Sequence, residues 1–262
     1  DDGKVVTLNT VAGQQIEGDA LLGADGVWSR VRQQLLNDGP PRVTGHLAYR
    51  TMLCQSALPA ALRSTQVTAW LGPRLHVVQY PVRGGEWMNV VAIVHGDPPA
   101  DAQGWDRGAN AADLARAMGA TCAPLRELIA AVPEATVNDH AWRLWALADR
   151  PPVEGAEQMA CGLVALAGDA AHPMRPYLAQ GAGMAIEDAA ELARALAMDA
   201  VDVPTRLKRY ALARWQRCAR VQARSIRNGQ IFHSTGLMGL GRDASIKLLG
   251  ERILDVPWLY AG

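Results

Sequence analysis

Between Leu163 and Leu196 the chain reads LVALAGDAAHPMRPYLAQGAGMAIEDAAELARAL, an order of apolar strand, acidic turn, proline-stiffened loop, glycine turn and helix. Gly168 and Asp169 fall at the strand's carboxyl end, where an aspartate can accept hydrogen bonds from ligand hydroxyls. The helix that follows offers amides without intrahelical partners and the positive end of its dipole. Small residues at Gly181, Ala182 and Gly183 let the edge of a ligand come close. Such a place suits a flat, electron-rich or anionic ring. A Gly-Asp pair is also an ordinary way to end a strand in a turn, and on the dipeptide alone both readings stand. His172 is expected to satisfy its donor and acceptor locally, and Glu187 and Asp188 to act as partners of the helix dipole.

A second acidic turn occurs in DALLGADGVWSRVRQQL. Asp25 and Gly26 lie between a short strand and a helix whose opening carries Arg30 and Arg32. A guanidinium can fork two hydrogen bonds to a phosphate beside the oriented amides of a helix start, so pyrophosphate is one natural partner. A capped surface helix with solvated arginines is the other reading.

Taken together, GDAAHPMxPxxAQGAGMAIEDA and GADGxxSxVR resemble the two downstream FAD motifs of the class A flavoprotein monooxygenases that hydroxylate aromatic rings, in the salicylate hydroxylase and 3-hydroxybenzoate 6-hydroxylase group. The resemblance implies that Asp169 binds the ribityl chain of FAD and that Gly168 shapes its turn. It also implies that Gly181, Ala182 and Gly183 donate to the isoalloxazine pyrimidine edge, with Pro176 near the flavin's reactive carbon. Asp25 and Gly26 then contact the cofactor region, and Arg32, rather than Arg30, meets pyrophosphate.

In this fold type the sheet between the motifs covers the flavin and forms the substrate pocket. Its stretch LHVVQYP resembles the hydroxybenzoate hydroxylases, which nominates His76 and Tyr80 as catalytic. Strand alternation puts both on one face, and histidine titrates in the range needed to take a phenolic proton. A packed histidine and tyrosine in a sheet remains the alternative. The expected function is an NADH- or NADPH- and FAD-dependent monooxygenase that transfers one atom of dioxygen to a small phenolic, hydroxybenzoate-like acid. A related epoxidase or halogenase-like flavin oxidoreductase, or a non-catalytic protein with a basic binding helix, is the alternative.

The elements that must position these residues follow from local pattern. Val5 to Leu8 and Gln15 to Glu17 read as a hairpin around Ala12-Gly13, Ala20 to Gly23 as a short strand, and a helix starts near Val27. LAYRTML, QVTAWLG, LHVVQYP and EWMNVVAIVH read as strands, with Gly84-Gly85 as a turn. AADLARAMG and PLRELIAAV read as helices. The stretch AWRLWALAD, then Pro151-Pro152, mark a boundary. Gly183 to Met198 and Pro204 to about Ser234 read as long helices, and the resemblance implies a short helical tail after them. The fold class is thus α/β: an incomplete Rossmann-like FAD-binding domain (residues 1–42 and 150–200), an inserted β-sheet substrate domain (43–149) and C-terminal helices (201–262). The GxGxxG phosphate turn does not occur in these residues and the chain opens mid-hairpin at Asp1. The expectation is a fragment of a longer polypeptide, inactive alone.

Composition sets the remaining bounds. With 49% hydrophobic and 20% charged residues, the 262-residue chain is suited to burying a core. Twenty-six basic and twenty-six acidic side chains cancel, which argues against nucleic acid and membrane as partners. Nine positive charges and no acid between Val203 and Arg242 are the exception. Their interleaving with Leu, Tyr, Trp and Val suits a packed helix whose charge balances acids elsewhere or on a partner subunit, a homodimer being open. Cys54, Cys122, Cys161 and Cys218 form no metal-ligand or disulfide pattern, so no metal is expected and a reducing cytoplasm fits. Core packing is the expected role of Trp70, Trp87, Trp142 and Trp145.

Overall fold

The computed structural model describes residues 4–105, 107–132, 142–250 and 256–260; Ala141, the first residue of the stretch AWRLWALAD, lies outside them. In chain order the elements are β1 (Val6–Asn9), β2 (Gln15–Gly18), β3 (Leu21–Gly23), α1 (Arg30–Leu36), β4 (Arg42–Cys54), β5 (Thr68–Gly72), β6 (Leu75–Val82), β7 (Trp87–His95), β8 (Arg107–Ala109), α2 (Ala111–Met118), α3 (Ala123–Ala130), β9 (Trp142–Asp149), β10 (Ala160–Cys161), β11 (Val164–Leu166), α4 (Gly181–Leu196), α5 (Val203–Phe232) and α6 (Gly236–Leu249). This is a mixed α/β fold with C-terminal helices. It divides into two compact units, one of residues 1–42 and 148–228, the other of 43–147 and 229–262. The segment 201–262 is therefore shared between the units: α5 up to Asn228 belongs to the first, its last turn and α6 to the second.

In the first unit, β1 and β2 form the hairpin, with Gly13 at φ 79° in its turn. Strand β11 lies between β10, antiparallel to it, and β3, parallel to it. Gly23 ends β3 at the point of closest packing. A Cβ there would come within 2.8 Å of Leu166 and 2.9 Å of Val31, so only glycine lets α1 sit against the sheet. Helix α1 starts at Arg30, later than hydrophobic pattern suggests, because side chains fix its first turn. Ser29 Oγ accepts from the Arg32 amide, and Asp25 accepts from the Arg30 and Val31 amides and from the Ser29 hydroxyl. On α5, Leu207, Ala211, Cys218 and Val221 are fully buried, and the Tyr210 hydroxyl donates to the Leu166 carbonyl at 2.8 Å.

In the second unit the strands run β5-β6-β7-β4-β9-β8. The Trp-containing stretch supplies β9, and the Gly84-Gly85 turn joins β6 to β7 with both glycines at positive φ. Alternation sorts the sheet's two faces. Leu47, Tyr49 and Leu53 of β4, Leu75 and Val77 of β6 and Met88, Val90, Ala92 and Val94 of β7 form a core with Leu114, Leu125 and Leu128 of α2 and α3. Trp142 is fully buried in the same core, and Trp70 packs on its edge. The intervening residues, His46 and Arg50, His76 and Tyr80, and Asn89 and His95, point to the other face.

Candidate functional site

The first unit assembles the acidic turn, the loop and the helix start. Gly168 adopts φ 58°, and a Cβ on it would lie 3.3 Å from that of Ala185, so both backbone and space require glycine. Its amide donates to Asp188 Oδ2 at 2.8 Å. Asp169 follows with an exposed side chain. Desolvation in the turn raises its pKa, with the His172 charge opposing. Its Oδ1 lies 4.0 Å from where a Cβ on Gly181 would begin, so the exposed carboxylate and the first amides of α4 address the same space. Gly181, Ala182 and Gly183 are the opening residues of α4. Pro176 is exposed, and its carbonyl accepts from the Ala179 amide in the turn that precedes the helix. This cradle fits a flat ligand carrying hydroxyls on one side and an anionic or carbonyl-bearing edge on the other.

Behind the cradle lies a buried polar assembly. His172 and Asp188 are both 0% exposed, with Nε2 and Oδ2 2.6 Å apart. Burial works against charge on His172, but the bond to Asp188 and the adjoining Cys218 push it up to about 10. Burial likewise opposes the Asp188 carboxylate, which donors from His172, the Gly168 amide and Arg214 hold below the usual range. Arg214 donates to Asp188 at 2.8 Å and to Glu187 at 2.6 Å, and Arg217 donates to both Glu187 oxygens. The structure thus corrects the expectation that Glu187 and Asp188 serve the helix dipole. They stand beyond the first turn of α4, where that field has faded, and answer the arginines of α5 instead.

The loop itself is hung from one face of α5. Gln222 donates to the Pro173 carbonyl, Ser225 to that of Arg175 and Asn228 to that of Tyr177. Spacing of three puts these side chains on one helical stripe. Sequence reading passed over them because the arginines around them carried the stronger signal; the i, i+3, i+6 polar pattern was the available clue.

The residues of the other acidic turn are engaged within the protein. Arg32 is 5% exposed, and its guanidinium is committed to Asp38 at 2.7 Å and to the Ala170 and Ala171 carbonyls. It ties α1 to the Asp169 turn. Asp25 caps α1, with both oxygens occupied. Burial opposes its charge but the Ser29 hydroxyl and the Val31 and Arg30 amides lower its pKa. Gly26 adopts φ 77° and lets the chain turn into the cap.

In the second unit, His76 and Tyr80 share one face of β6. Tyr80 is half-buried opposite Asn89 in register. His76 is 3% exposed, with Nδ1 2.7 Å from His233 Nε2. Burial, and then His46, lower its pKa to about 4, so it is neutral at neutral pH. Two residues missed in the sequence complete this face. Asn89 accepts from Arg50 Nε at 2.8 Å, while its buried Nδ2 has no hydrogen-bond partner among the described residues. Arg50 is exposed.

Among the described residues, no helix is long and apolar enough to cross a membrane. Residues 2–225 match the family model described as "FAD binding domain". The chain is 38% identical to 3-hydroxybenzoate 6-hydroxylase of Polaromonas naphthalenivorans, over 99% of the chain and 62% of that protein. It is 36% identical to 3-amino-4-hydroxybenzoate 2-monooxygenase PtmB3 of Streptomyces platensis, over 97% and 61%. The chain thus spans less than two thirds of the length of both. Among solved structures it is similar to a salicylate hydroxylase substrate complex, with TM-score 0.81 and 28% identity over all of the chain and 66% of that one. It is also similar to Klebsiella pneumoniae HpxO complexed with FAD and uric acid, with TM-score 0.79 and 27% identity over 97% and 62%.

Proposed function

The chain belongs to the FAD-binding class A monooxygenases related to 3-hydroxybenzoate 6-hydroxylase and salicylate hydroxylase, and from that premise we propose that the protein hydroxylates a small phenolic acid of the hydroxybenzoate class with NADH or NADPH as reductant. The observation that carries this reading is the cradle in which exposed Asp169 and the first amides of α4 address one space. FAD, when bound, supplies the reaction with dioxygen that places an oxygen atom on the ring.

The chain's own residues then bind, orient and move protons. Asp169 accepts from the ribityl hydroxyls; the amides of Gly181, Ala182 and Gly183 donate to the pyrimidine edge; Pro176 lines the side of the ring. Gly168 provides the turn that points Asp169 outward. Asp25, Gly26 and Arg32 act at one remove: the first two start α1, and Arg32 holds α1 to the Asp169 turn. Tying these elements together in advance spares reorganisation when the cofactor binds. On the sheet face, Arg50 offers positive charge to a substrate carboxylate and Asn89 Nδ2 a donor. His76 is neutral above about pH 4 and so a weaker base than an ordinary histidine, and its part is to hydrogen-bond and relay the phenolic proton with Tyr80 rather than to hold it.

Two measurements test the proposal. Asp169→Ala is expected to lose flavin that the parent protein retains through gel filtration; equal retention removes Asp169 from the site. NADH oxidation is expected to rise in the presence of one or more hydroxybenzoates, and a flat response across a panel of phenolic acids overturns the substrate assignment. On the basic helix, Arg214 and Arg217 are paired with acids of α4 and Arg206 lies 3.7 Å from Asp199, which supports a packing role for these three arginines.

A further inference from the structure

Four of the six histidines converge in the second unit, on the sheet face opposite its hydrophobic core. His46 and His95 stand directly opposite each other across β4 and β7, and His76 on β6 is paired with Ile93, two residues along the same face from His95. His233, one residue past α5, closes the group. The ring centroids of His46 and His95 are 4.3 Å apart, those of His46 and His233 5.1 Å, and those of His95 and His233 5.0 Å.

We propose that His46, His95 and His233 form a binding site for a divalent first-row transition cation of the Zn2+ type, with His76 as the positioning residue that sets the tautomer of His233. One ring nitrogen from each of the three lies within 4.8 Å of the others. His233 Nδ1 and His95 Nε2 are 2.9 Å apart and share a proton. Tetrahedral coordination at the usual zinc–nitrogen length separates two ligand nitrogens by about 3.3 Å. A cation therefore takes the proton's place after the rings part by a few tenths of an ångström. Coordination takes the hydrogen off the ligating nitrogen, and the ring carries it on its other nitrogen instead.

The surroundings supply what such a site needs. Once Nδ1 of His233 holds the cation, its Nε2 keeps a hydrogen and donates it to His76 Nδ1, already 2.7 Å away. An outer partner of this kind orients a ligand ring and fixes its tautomer. The backbone is held as well: the Arg74 amide donates to the His233 carbonyl and the His95 amide to the Arg74 carbonyl, both at 3.2 Å. His46 and His233 are buried whereas His95 is exposed, giving the ion a route and leaving a coordination position for water. Donors that are all imidazole favour Zn2+, Cu2+ and Ni2+ over Mg2+ or Ca2+.

The first unit contains a second convergent trio, His172, Asp188 and Cys218. It is fully enclosed, and its carboxylate is already engaged by Arg214 and the Gly168 amide, so it offers neither access nor free ligand capacity.

The test is calorimetric titration of chelator-stripped protein with ZnCl2, paralleled by CoCl2 with visible spectroscopy. One ion per chain is expected, with tetrahedral cobalt bands. His95→Ala alters an exposed side chain and should abolish this binding; His95→Gln serves equally if His46→Ala or His233→Ala fails to fold. His76→Ala should weaken binding by roughly 10- to 100-fold. Absence of a saturable event, undiminished binding in His95→Ala, or a thiolate-to-cobalt charge-transfer band marking cysteine ligation would each overturn the site.

Discussion

His172 in the first unit and His76 in the second are almost equally buried, yet their protons are held in opposite ways. His172 lies against the carboxylate of Asp188 and is pushed up to about 10; His76 lies against other imidazoles and is lowered to about 4. Burial disfavours charge at both positions, so the difference comes from the partner. A carboxylate within a hydrogen bond repays desolvation of an imidazolium, whereas a second imidazole does not. The first unit accordingly uses fixed charges to brace a loop and a helix start. The second gathers imidazole nitrogens close to one another, with His76 held neutral among them.

The largest expected effect comes from making His172 resemble His76. Asp188→Asn removes the carboxylate that receives Arg214, His172 and the Gly168 amide, and should cost roughly 3–5 kcal/mol of stability in chemical denaturation. In NMR titration the His172 midpoint should fall well below 10, because burial is then opposed by Cys218 alone. A midpoint still near 10 would mean that Asp188 is not the cause.

The pH dependence of stability separates the two histidines next. The folded pKa of His76 lies below its ordinary 6.5, so the unfolded chain binds the proton first as pH falls. Stability is complete above about 6.5 and declines toward pH 4, by about 3 kcal/mol for this one group. His76→Gln should flatten that limb. His172 has the opposite sign: its contribution is full below about 6.5 and is lost as pH rises toward 10, so His172→Gln should flatten the alkaline limb. Denaturation midpoints measured across this range check both, and parallel limbs in parent and variants would break the comparison.

A neutral bond in the first unit supplies the smallest effect and a baseline for the charged ones. Ser225→Ala deprives the Arg175 carbonyl of a donor at 2.6 Å and should cost about 1 kcal/mol, read as a modest fall in Tm. A loss as large as that of Asp188→Asn would mean that suspension of the loop, rather than charge pairing, dominates this unit.

Much of the fold was legible because its signals are local. Gly13 and the Gly84-Gly85 pair marked their turns, period-2 alternation marked β5 to β7, and long apolar periodicity marked α4 and α5. Helix starts were less legible. Helix α1 begins where the Asp25 and Ser29 side chains reach its amides, a matter of side-chain geometry, while α4 begins at Gly181 rather than Gly183.

The order of the acidic turn, loop and glycine-opened helix, and with it the flavin-binding family, was determined by the sequence itself, since the cradle uses backbone amides and one carboxylate within fifteen consecutive residues. Only the tertiary structure decided what Arg32 serves, which acids answer the arginines of α5, and that histidines at 46, 76, 95 and 233 meet. The reason is physical: a guanidinium or imidazole takes its role from the partner within about 3 Å, and partners that lie from 26 to 157 residues away along the chain are set by sheet register and helix packing, which no local pattern encodes.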